Sequence, residues 1–238
     1  LGSVTPMSFV NTLLDQGSDA QREKYLPLFC SGDFTAATTA LLEPRATFEP
    51  TAPATTAIAN ADGYLLCGSK CMVPLGLYGA QLATLVLDNV QLPASELLGD
   101  DTFELQRFID LSRIGICALA VGTCQAILDY VIPYCNERVA FGEPITNRQS
   151  VAFMIADIAI ELEAMRLMTW RAASRAELGL DFHEHAYLAK LFCAEHAMKI
   201  GTDGVQLLGG HGFCREHPVE LWYRNLRAIA ILEGVASV

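Results

Sequence analysis

One carboxylate near the end of the chain stands in an unusual place for an acidic side chain. Glu233 follows the apolar run AIAIL in the stretch RNLRAIAILEGVASV, and it directly precedes Gly234. A buried carboxylate is costly unless it is paired or holds its proton, and such a group can act as a general base. The plainer interpretation is a helix end, with Gly234 as the left-handed cap and Glu233 in solvent. This stretch alone leaves both interpretations open.

A second stretch that could do chemistry is the glycine-rich segment GGHGF at 209–213, three residues after Gln206. Glycines allow backbone amides to approach a phosphate closely, where side chains would obstruct it. A single glycine-rich string is a weak indication of a phosphate site. It gains weight only in combination with other motifs.

Composition limits the classes of protein to consider. The 238 residues are 52% hydrophobic and 18% charged, which favours buried helices and subunit interfaces. The apolar runs are short, and glycines such as Gly115 and Gly122 interrupt them, so we expect no membrane span. A net charge of -11 without a basic patch argues against a nucleic-acid partner.

The eight cysteines are scattered rather than spaced as a disulfide framework. We therefore expect reduced thiols in a cytoplasm or a mitochondrial matrix. Cys67 and Cys71 enclose three residues but have no second Cys or His pair nearby, so no zinc site is expected. The chain begins without an initiator methionine or a targeting segment, and we expect a fragment of a longer protein.

Three segments of different character must position these residues, and together they predict an α+β fold. Residues 1–32 read as the end of an N-terminal helical domain, with a capping box between Ser18 and Gln21. Residues 33–100 are rich in Thr, Val and Leu with frequent turn signals, which predicts a shortened middle β domain with a hairpin turn at 60–63. Residues 101–238 change to a period of 3.6, which predicts a four-helix bundle.

The bundle helices are expected at 102–135, 150–178, 183–208 and 219–232. Pro133 should kink or shorten the first of them, because proline removes a helical hydrogen bond. The second carries an apolar stripe that includes three methionines, which we interpret as core.

Several stretches taken together resemble the acyl-CoA dehydrogenase family. ERVAFGEPITNRQSVAFMIADI, AKLFCAEHAMKIGTDGVQLLGGHGF and HPVELWYRNLRAIAILEG are similar, in order and spacing, to that family's C-terminal domain. The upstream DAQREKYLPLFCSGDFTAATTALLEP resembles the entry to its β domain. Ordered motifs of this kind are far more specific than one string. The resemblance implies N-terminal helices, a middle β domain and a C-terminal four-helix bundle, assembled as a homo- or hetero-tetramer.

The resemblance also implies a reaction, the FAD-dependent α,β-dehydrogenation of an acyl-CoA thioester in fatty acid β-oxidation. A carboxylate removes the α-proton while a hydride passes to FAD, and electrons leave through an electron-transfer flavoprotein. Glu233 falls on the family's base position, and Gly234 would let the thioester approach closely. Some relatives carry the base at the position of Ser112, where serine cannot do that work.

Binding residues follow from the same resemblance. Asp110 and Arg113 match residues that contact the CoA portion, although a helix-terminal Asp beside a solvated Arg is the plainer interpretation. The residues matching FAD contacts are Arg138, Phe141, Gln149, Gln206, Gly209 and Gly210. We expect His211 to be a loop residue, and Lys190 to be structural and paired with a carboxylate of the bundle.

The β segment departs from the family where it would meet the flavin. Leu42 replaces a hydroxyl residue, and Met72 and Pro74 replace an aromatic residue and a threonine, so neither side chain can donate a hydrogen bond. Between residues 79 and 87, this chain also lacks some tens of residues that the family's β domain has.

Three explanations of this departure stay open. Loops could be absent from the sequence, the chain could be a noncatalytic or flavin-deficient partner subunit of a hetero-oligomer, or it could bind acyl-CoA or a partner without catalysis. The retained Glu233 favours an active enzyme.

Overall fold

The computed structural model describes residues 5–33, 35–47, 49–74, 82–99 and 103–232. Contacts within the chain divide it into two compact units, Leu1–Ile109 and Asp110–Val238. We call the first the β unit and the second the helical unit.

The β unit begins with two short helices, α1 (Thr5–Gln16) and α2 (Asp19–Tyr25). The predicted capping box is confirmed, since Ser18 Oγ accepts from the Gln21 amide at 3.2 Å and Gln21 Oε1 accepts from the Ser18 amide at 3.0 Å. Gln21 is buried, and its side chain also donates to the carbonyl oxygens of Ser95 and Leu97. One residue therefore caps α2 and ties it to the segment after the sheet.

Three antiparallel strands form the sheet in the order β1-β2-β3, with β1 at Thr56–Asn60, β2 at Gly63–Pro74 and β3 at Leu82–Leu92. The predicted hairpin is confirmed, because Asn60 pairs with Gly63 across a two-residue turn. The β2–β3 ladder is irregular between Lys70 and Val73. Met72 lies in that irregularity with a left-handed φ of +51°.

A buried carboxylate fastens the segment before the sheet to β2. Glu43 is 8% exposed, and its oxygens accept from Lys70 Nζ at 2.9 Å, from the Ala54 amide at 2.7 Å and from the Thr55 amide at 2.9 Å. Arg45 lies 3.3 Å away. The Ala54 amide, followed by Lys70 and the Thr55 amide, holds the pKa of Glu43 well below its usual range. The buried charge is thus compensated by its donors.

Four helices are described in the bundle, α3 at Leu105–Glu137, α4 at Gln149–Glu177, α5 at His183–Leu208 and α6 at Val219–Leu226. α3 starts just before the boundary between the units. A short hairpin, β4 (Val139–Ala140) and β5 (Glu143–Pro144), connects α3 to α4.

Two predicted helix bounds need correction. α3 continues through Pro133 to Glu137, and buried Cys135 holds its last turn against the core. α6 ends at Leu226, and a 3-10 turn over Arg227–Ala230 follows it. The 3-10 turn still buries Ala228 and Ile229. The apolar residues that predicted a longer α-helix are therefore buried in a 3-10 conformation instead.

The core of the helical unit is formed by apolar side chains from α3, α4 and α5. Fully buried members include Ile127, Val131, Ile158, Met165 and Ile200. α3 and α5 approach closely at Gly204, where an added Cβ would lie 2.6 Å from Ile127 Cγ2.

One described helix, Leu105–Glu137, is long and apolar enough to cross a membrane, with a mean hydropathy of 1.7 over its most apolar 18 residues. This corrects the expectation that the apolar stretches are too short. Its side chains at Cys124, Ile127 and Val131 are fully buried within the unit, and 39% of that apolar window is buried.

We predict that Glu43→Gln lowers the free energy of unfolding by about 2 kcal/mol, because it leaves the Lys70 ammonium without its buried counter-charge. The pKa of Glu43 is depressed from its ordinary value of 4.5. Its stabilisation is therefore fully present above that pH and is lost progressively as the pH falls below it. Urea denaturation at pH 7 and pH 3 measures both effects.

Glu49→Gln is the matched control, since its side chain is 54% exposed and lies 3.8 Å from Arg45. An exposed pair of this kind should change stability by less than about 1 kcal/mol. Equal losses in the two variants at pH 7 would contradict the special role of Glu43.

Candidate functional site

Most of the residues matched to FAD contacts line one cavity of the helical unit. The cavity has a volume of about 530 Å³ and includes Arg138, Phe141, Gln206, Gly209 and Gly210 in its lining. This volume is in the usual range for small-molecule sites. Gln149, the remaining matched residue, is the first residue of α4 and lies between the lining residues Arg148 and Ser150.

The charged side chains that line this cavity are basic. Arg138 and Arg148 contribute to it, and none of the described lining residues is Asp or Glu. Arg138 is exposed and forms no ion pair with another described residue, whereas Arg148 lies 3.9 Å from Glu143. A basic cavity in a chain with 27 acidic and 16 basic residues attracts an anion locally.

An exposed aromatic ring stands at the mouth of the cavity in a costly backbone conformation. Phe141 and Gly142 form the turn between β4 and β5, with φ values of +56° and +88°. The left-handed conformation costs a phenylalanine roughly 1–2 kcal/mol. The ring is 93% exposed and gains no burial in return, and Arg148 Cζ lies 5.0 Å from its centroid. An exposed ring beside two guanidinium groups suits a stacked base with attached phosphates.

The glycine loop supplies an open approach to the backbone. α5 ends at Leu208, Gly209 adopts φ +60° and ψ -132°, and the segment Gly209–Phe213 forms a 3-10 turn. A Cβ added at Gly209 or at Gly210 would meet no atom of the described residues within 4 Å. A ligand can therefore approach this backbone directly. The aromatic face, the guanidinium groups and this loop fit the ADP part of FAD.

The predicted CoA contacts form a buried network rather than an Asp beside a solvated Arg. Asp110 is 2% exposed, accepts from Arg113 Nη1 at 3.1 Å and lies 2.8 Å from His183 Nδ1. The Arg113 side chain is 11% exposed, its Nε is buried without a hydrogen-bond partner among the described residues, and its Cζ lies 5.5 Å from the Tyr187 ring. A buried donor without a partner is costly, so this Nε is an open polar position of the network.

Sequence reasoning missed His183 and Tyr187. Both lie in GLDFHEHAY, on the first turns of α5 and four residues apart. This spacing indicates a shared helix face. Nothing local in the sequence connects that face to Asp110.

Glu233 and Gly234 lie outside the described residues. The chain leading to them is anchored by Lys190, which is 2% exposed in α5 and donates to the carbonyl oxygen of Leu232. Its expected pairing with a carboxylate stays a prediction. Ser112, the alternative base position, is buried in α3.

The β unit has apolar side chains at the two positions that the family resemblance matches to flavin-ring contacts. Met72 is 44% exposed, and Pro74 is buried at the end of β2. The Leu42 carbonyl accepts from the Cys71 amide at 2.9 Å, which joins this segment to the sheet. Neither Met72 nor Pro74 supplies a side-chain donor to a flavin ring.

The fold is that of a flavin-dependent acyl-CoA dehydrogenase. The solved structure of butyryl-CoA dehydrogenase from Megasphaera elsdenii matches this chain with a TM-score of 0.81 and 29% identity, covering 95% of this chain and 71% of that one. Residues 104–238 match the family model described as acyl-CoA dehydrogenase, C-terminal domain.

Relatives in two organisms agree with that match. The chain is 31% identical to an acyl-CoA dehydrogenase of Bacillus subtilis, over 96% of this chain and 72% of the relative. It is also 31% identical to the short-chain specific mitochondrial acyl-CoA dehydrogenase of Bos taurus, over 99% of this chain and 68% of the relative. The chain belongs to the acyl-CoA dehydrogenase family. Membership confirms the predicted α+β fold, the oxidoreductase class and FAD as the family's cofactor.

This chain is shorter than its Bacillus subtilis relative within the region where the two match, and we call the difference the internal deficit. The alignment spans 274 positions, but 96% of this chain is only about 228 of its 238 residues. About 46 positions of the alignment therefore have no residue of this chain. This deficit is of the size predicted for the β segment.

We predict that Gly209→Ala destabilises the helical unit by roughly 1–3 kcal/mol, because alanine is strained at its backbone angles. The matched control is Gly210→Ala. Gly210 has no positive φ, so this substitution should alter stability by less than about 0.5 kcal/mol. Thermal denaturation of both variants measures the difference. Equal stability of the two variants would show that the strain argument fails.

Proposed function

We propose that this chain catalyses the FAD-dependent α,β-dehydrogenation of an acyl-CoA thioester. The observation that carries the proposal is the basic cavity of the helical unit, which combines a guanidinium without an ion-pair partner among the described residues, an exposed aromatic ring and an open glycine-rich segment. Each of these suits a different part of an adenine dinucleotide. They lie together without an acidic side chain in the described lining.

In this proposal, Arg138 neutralises the pyrophosphate and Phe141 stacks on the adenine. Gln149 and Gln206 supply amide groups for hydrogen bonds, and Gly209 with Gly210 leaves room for the phosphates. When bound, FAD would accept a hydride from the acyl chain. The residues that the family resemblance matches to isoalloxazine contacts, Met72 and Pro74, are apolar.

Arg113 and Glu233 act on the substrate. Asp110, which also pairs with His183, holds the Arg113 guanidinium in place, and that guanidinium would contact the CoA portion. Glu233 removes the α-proton, a step that requires a carboxylate shielded from water. Lys190 donates to the carbonyl oxygen of Leu232, the residue before Glu233. Gly234 lets the thioester approach.

The proposed setting follows the family. Electrons would pass to an electron-transfer flavoprotein, and the chain would work in a homo- or hetero-tetramer. The named relatives come from a bacterium and from mitochondria, which favours a cytoplasmic or mitochondrial-matrix location.

A second candidate function is a flavin-deficient partner subunit within a hetero-oligomeric acyl-CoA dehydrogenase. Met72 and Pro74 favour it, because neither supplies a side-chain donor at a position that the family resemblance matches to the flavin ring. The internal deficit of about 46 positions also favours it, since this chain is shorter than the relative within the matched region. In that case the helical unit would retain its ADP contacts without supporting turnover.

The visible spectrum of the purified protein, before and after anaerobic addition of acyl-CoA esters of graded chain length, distinguishes the two functions. A flavin band that bleaches with one ester supports the dehydrogenase and identifies its substrate class. Folded protein that binds FAD weakly and shows no bleaching with any ester supports the partner subunit.

We predict that Glu233→Gln lowers turnover by about 10²–10⁴-fold, the usual contribution of a general base. The amide cannot accept the α-proton, whereas FAD content should stay unchanged because Glu233 is not assigned to cofactor binding. Stopped-flow bleaching and the ratio of flavin to protein measure the two quantities.

Glu216→Gln is the control for Glu233→Gln, since Glu216 is exposed after the glycine loop. It should retain the turnover of the wild type. Full activity in Glu233→Gln would remove Glu233 from the mechanism.

A further inference from the structure

Two tyrosine–histidine pairs lie next to the basic cavity. The Tyr130 hydroxyl lies 2.7 Å from His217 Nδ1, and one turn later on α3 the Tyr134 hydroxyl lies 2.8 Å from His211 Nδ1. The imidazole rings stack with centroids 5.3 Å apart and planes inclined by 23°. The Tyr134 ring packs edge-on against both imidazoles. We call these four residues the Tyr–His ladder.

The two rungs of the ladder differ in their relation to the cavity. Tyr134 and His211 line it, whereas Tyr130 and His217 are not among its lining residues. His211 is exposed, and its Nδ1 is engaged by Tyr134. No described residue hydrogen-bonds to His211 Nε2, so this nitrogen is the one left for a ligand.

The Tyr134 hydroxyl allows His211 to donate in two protonation states. Besides His211, the hydroxyl oxygen lies 3.3 Å from the carbonyl oxygen of Leu208, the last residue of α5. When the hydroxyl donates to Nδ1, the neutral ring carries its proton on Nε2. When it donates to Leu208 instead, Nδ1–H can donate to the hydroxyl oxygen, and the imidazolium again carries a proton on Nε2. Both states offer Nε2–H to an anion.

The surroundings of His211 favour an anionic acceptor. The charged residues that line the same cavity are Arg138 and Arg148, and no carboxylate among its described lining residues competes for the imidazole. The preceding residues, Gly209 and Gly210, leave open space for a ligand beside the ring.

We propose that His211 is a further dinucleotide-binding residue, whose Nε2–H donates to a phosphate oxygen of the ligand, and that Tyr134 is its positioning residue. This inference rests on the proposed function, since it takes the cavity to hold the ADP part of FAD. It replaces the earlier interpretation of His211 as a loop residue without a ligand.

The test is the dissociation constant of three probes, FAD, ADP and riboflavin, measured by titration calorimetry on the full chain. His211→Ala should weaken FAD and ADP by about tenfold, as expected for the loss of one hydrogen bond to a charged group. Riboflavin has no phosphate and should bind the variant as it binds the wild type. His211→Gln retains a donor and should recover part of the lost affinity.

Tyr134→Phe and Tyr130→Phe are a matched pair, since each removes one hydroxyl from one rung. Tyr134→Phe should weaken FAD about threefold by releasing the ring of His211, whereas Tyr130→Phe should leave FAD affinity unchanged. In a double-mutant cycle, Tyr134→Phe should add no loss in the His211→Ala background. A merely structural role of Tyr134 would give additive losses.

Each other outcome has a definite meaning. Unchanged FAD and ADP affinity in His211→Ala overturns the inference, and so does an equal loss of riboflavin. An equal effect of Tyr130→Phe and Tyr134→Phe overturns the positioning role. If the wild-type chain binds neither FAD nor ADP, the proposed function itself fails; if it binds both and His211→Ala does so equally well, only the inference fails.

Discussion

The close contact between α3 and α5 is the constraint on which the helical unit depends. At Gly204 there is no room for a Cβ beside Ile127, so the two helices pack at a distance that only glycine allows. They run in the same direction, because their first turns meet at Asp110 and His183 and their last turns meet at Tyr134 and Leu208. Both proposed sites are therefore built at the ends of one helix pair.

Each proposed site has its own network of hydrogen bonds. At the first end, a buried carboxylate holds an arginine and an imidazole; at the other, two tyrosines hold two imidazoles. The 24 residues between Asp110 and Tyr134 correspond to about 36 Å of helix. A substitution at one end should thus have little direct effect on the other, although both depend on the apolar packing between them.

The sequence was a good guide wherever a local pattern determined the structure. The capping box of Ser18 and Gln21, the hairpin turn and the start of α5 at His183 depend on neighbouring residues, and all were predicted. Pro133 was misleading because the loss of one helical hydrogen bond can be read from the local sequence. The burial of Cys135, which holds the last turn of the helix against the core, depends on residues distant in the sequence. The end of α6 was missed because a 3-10 turn can bury the same apolar residues as a helix.

Residues that line the cavity were predictable only where a family motif marked them. Arg138 and Phe141 were singled out through the motif, and Arg148 could have been singled out as the second basic residue of the same segment. The partners of Asp110 and Tyr134 lie 73 and 77 residues away along the chain. No periodicity connects residues at such separations, and the Glu43 network in the β unit was missed for the same reason.

An exposed side chain on left-handed backbone occurs in each unit, and the two bear on the choice between the proposed functions. In the helical unit, the two-residue turn between β4 and β5 accounts for the left-handed conformation of Phe141, whose ring remains 93% exposed in the lining of the basic cavity. A stacked adenine would bury that ring. In the β unit, the irregular part of the β2–β3 ladder accounts for the similar conformation of Met72, whose side chain has no hydrogen-bond donor to offer a flavin. The ADP part of the cofactor site is therefore the better supported half, and the contribution of the β unit to the flavin ring decides between an active dehydrogenase and a partner subunit.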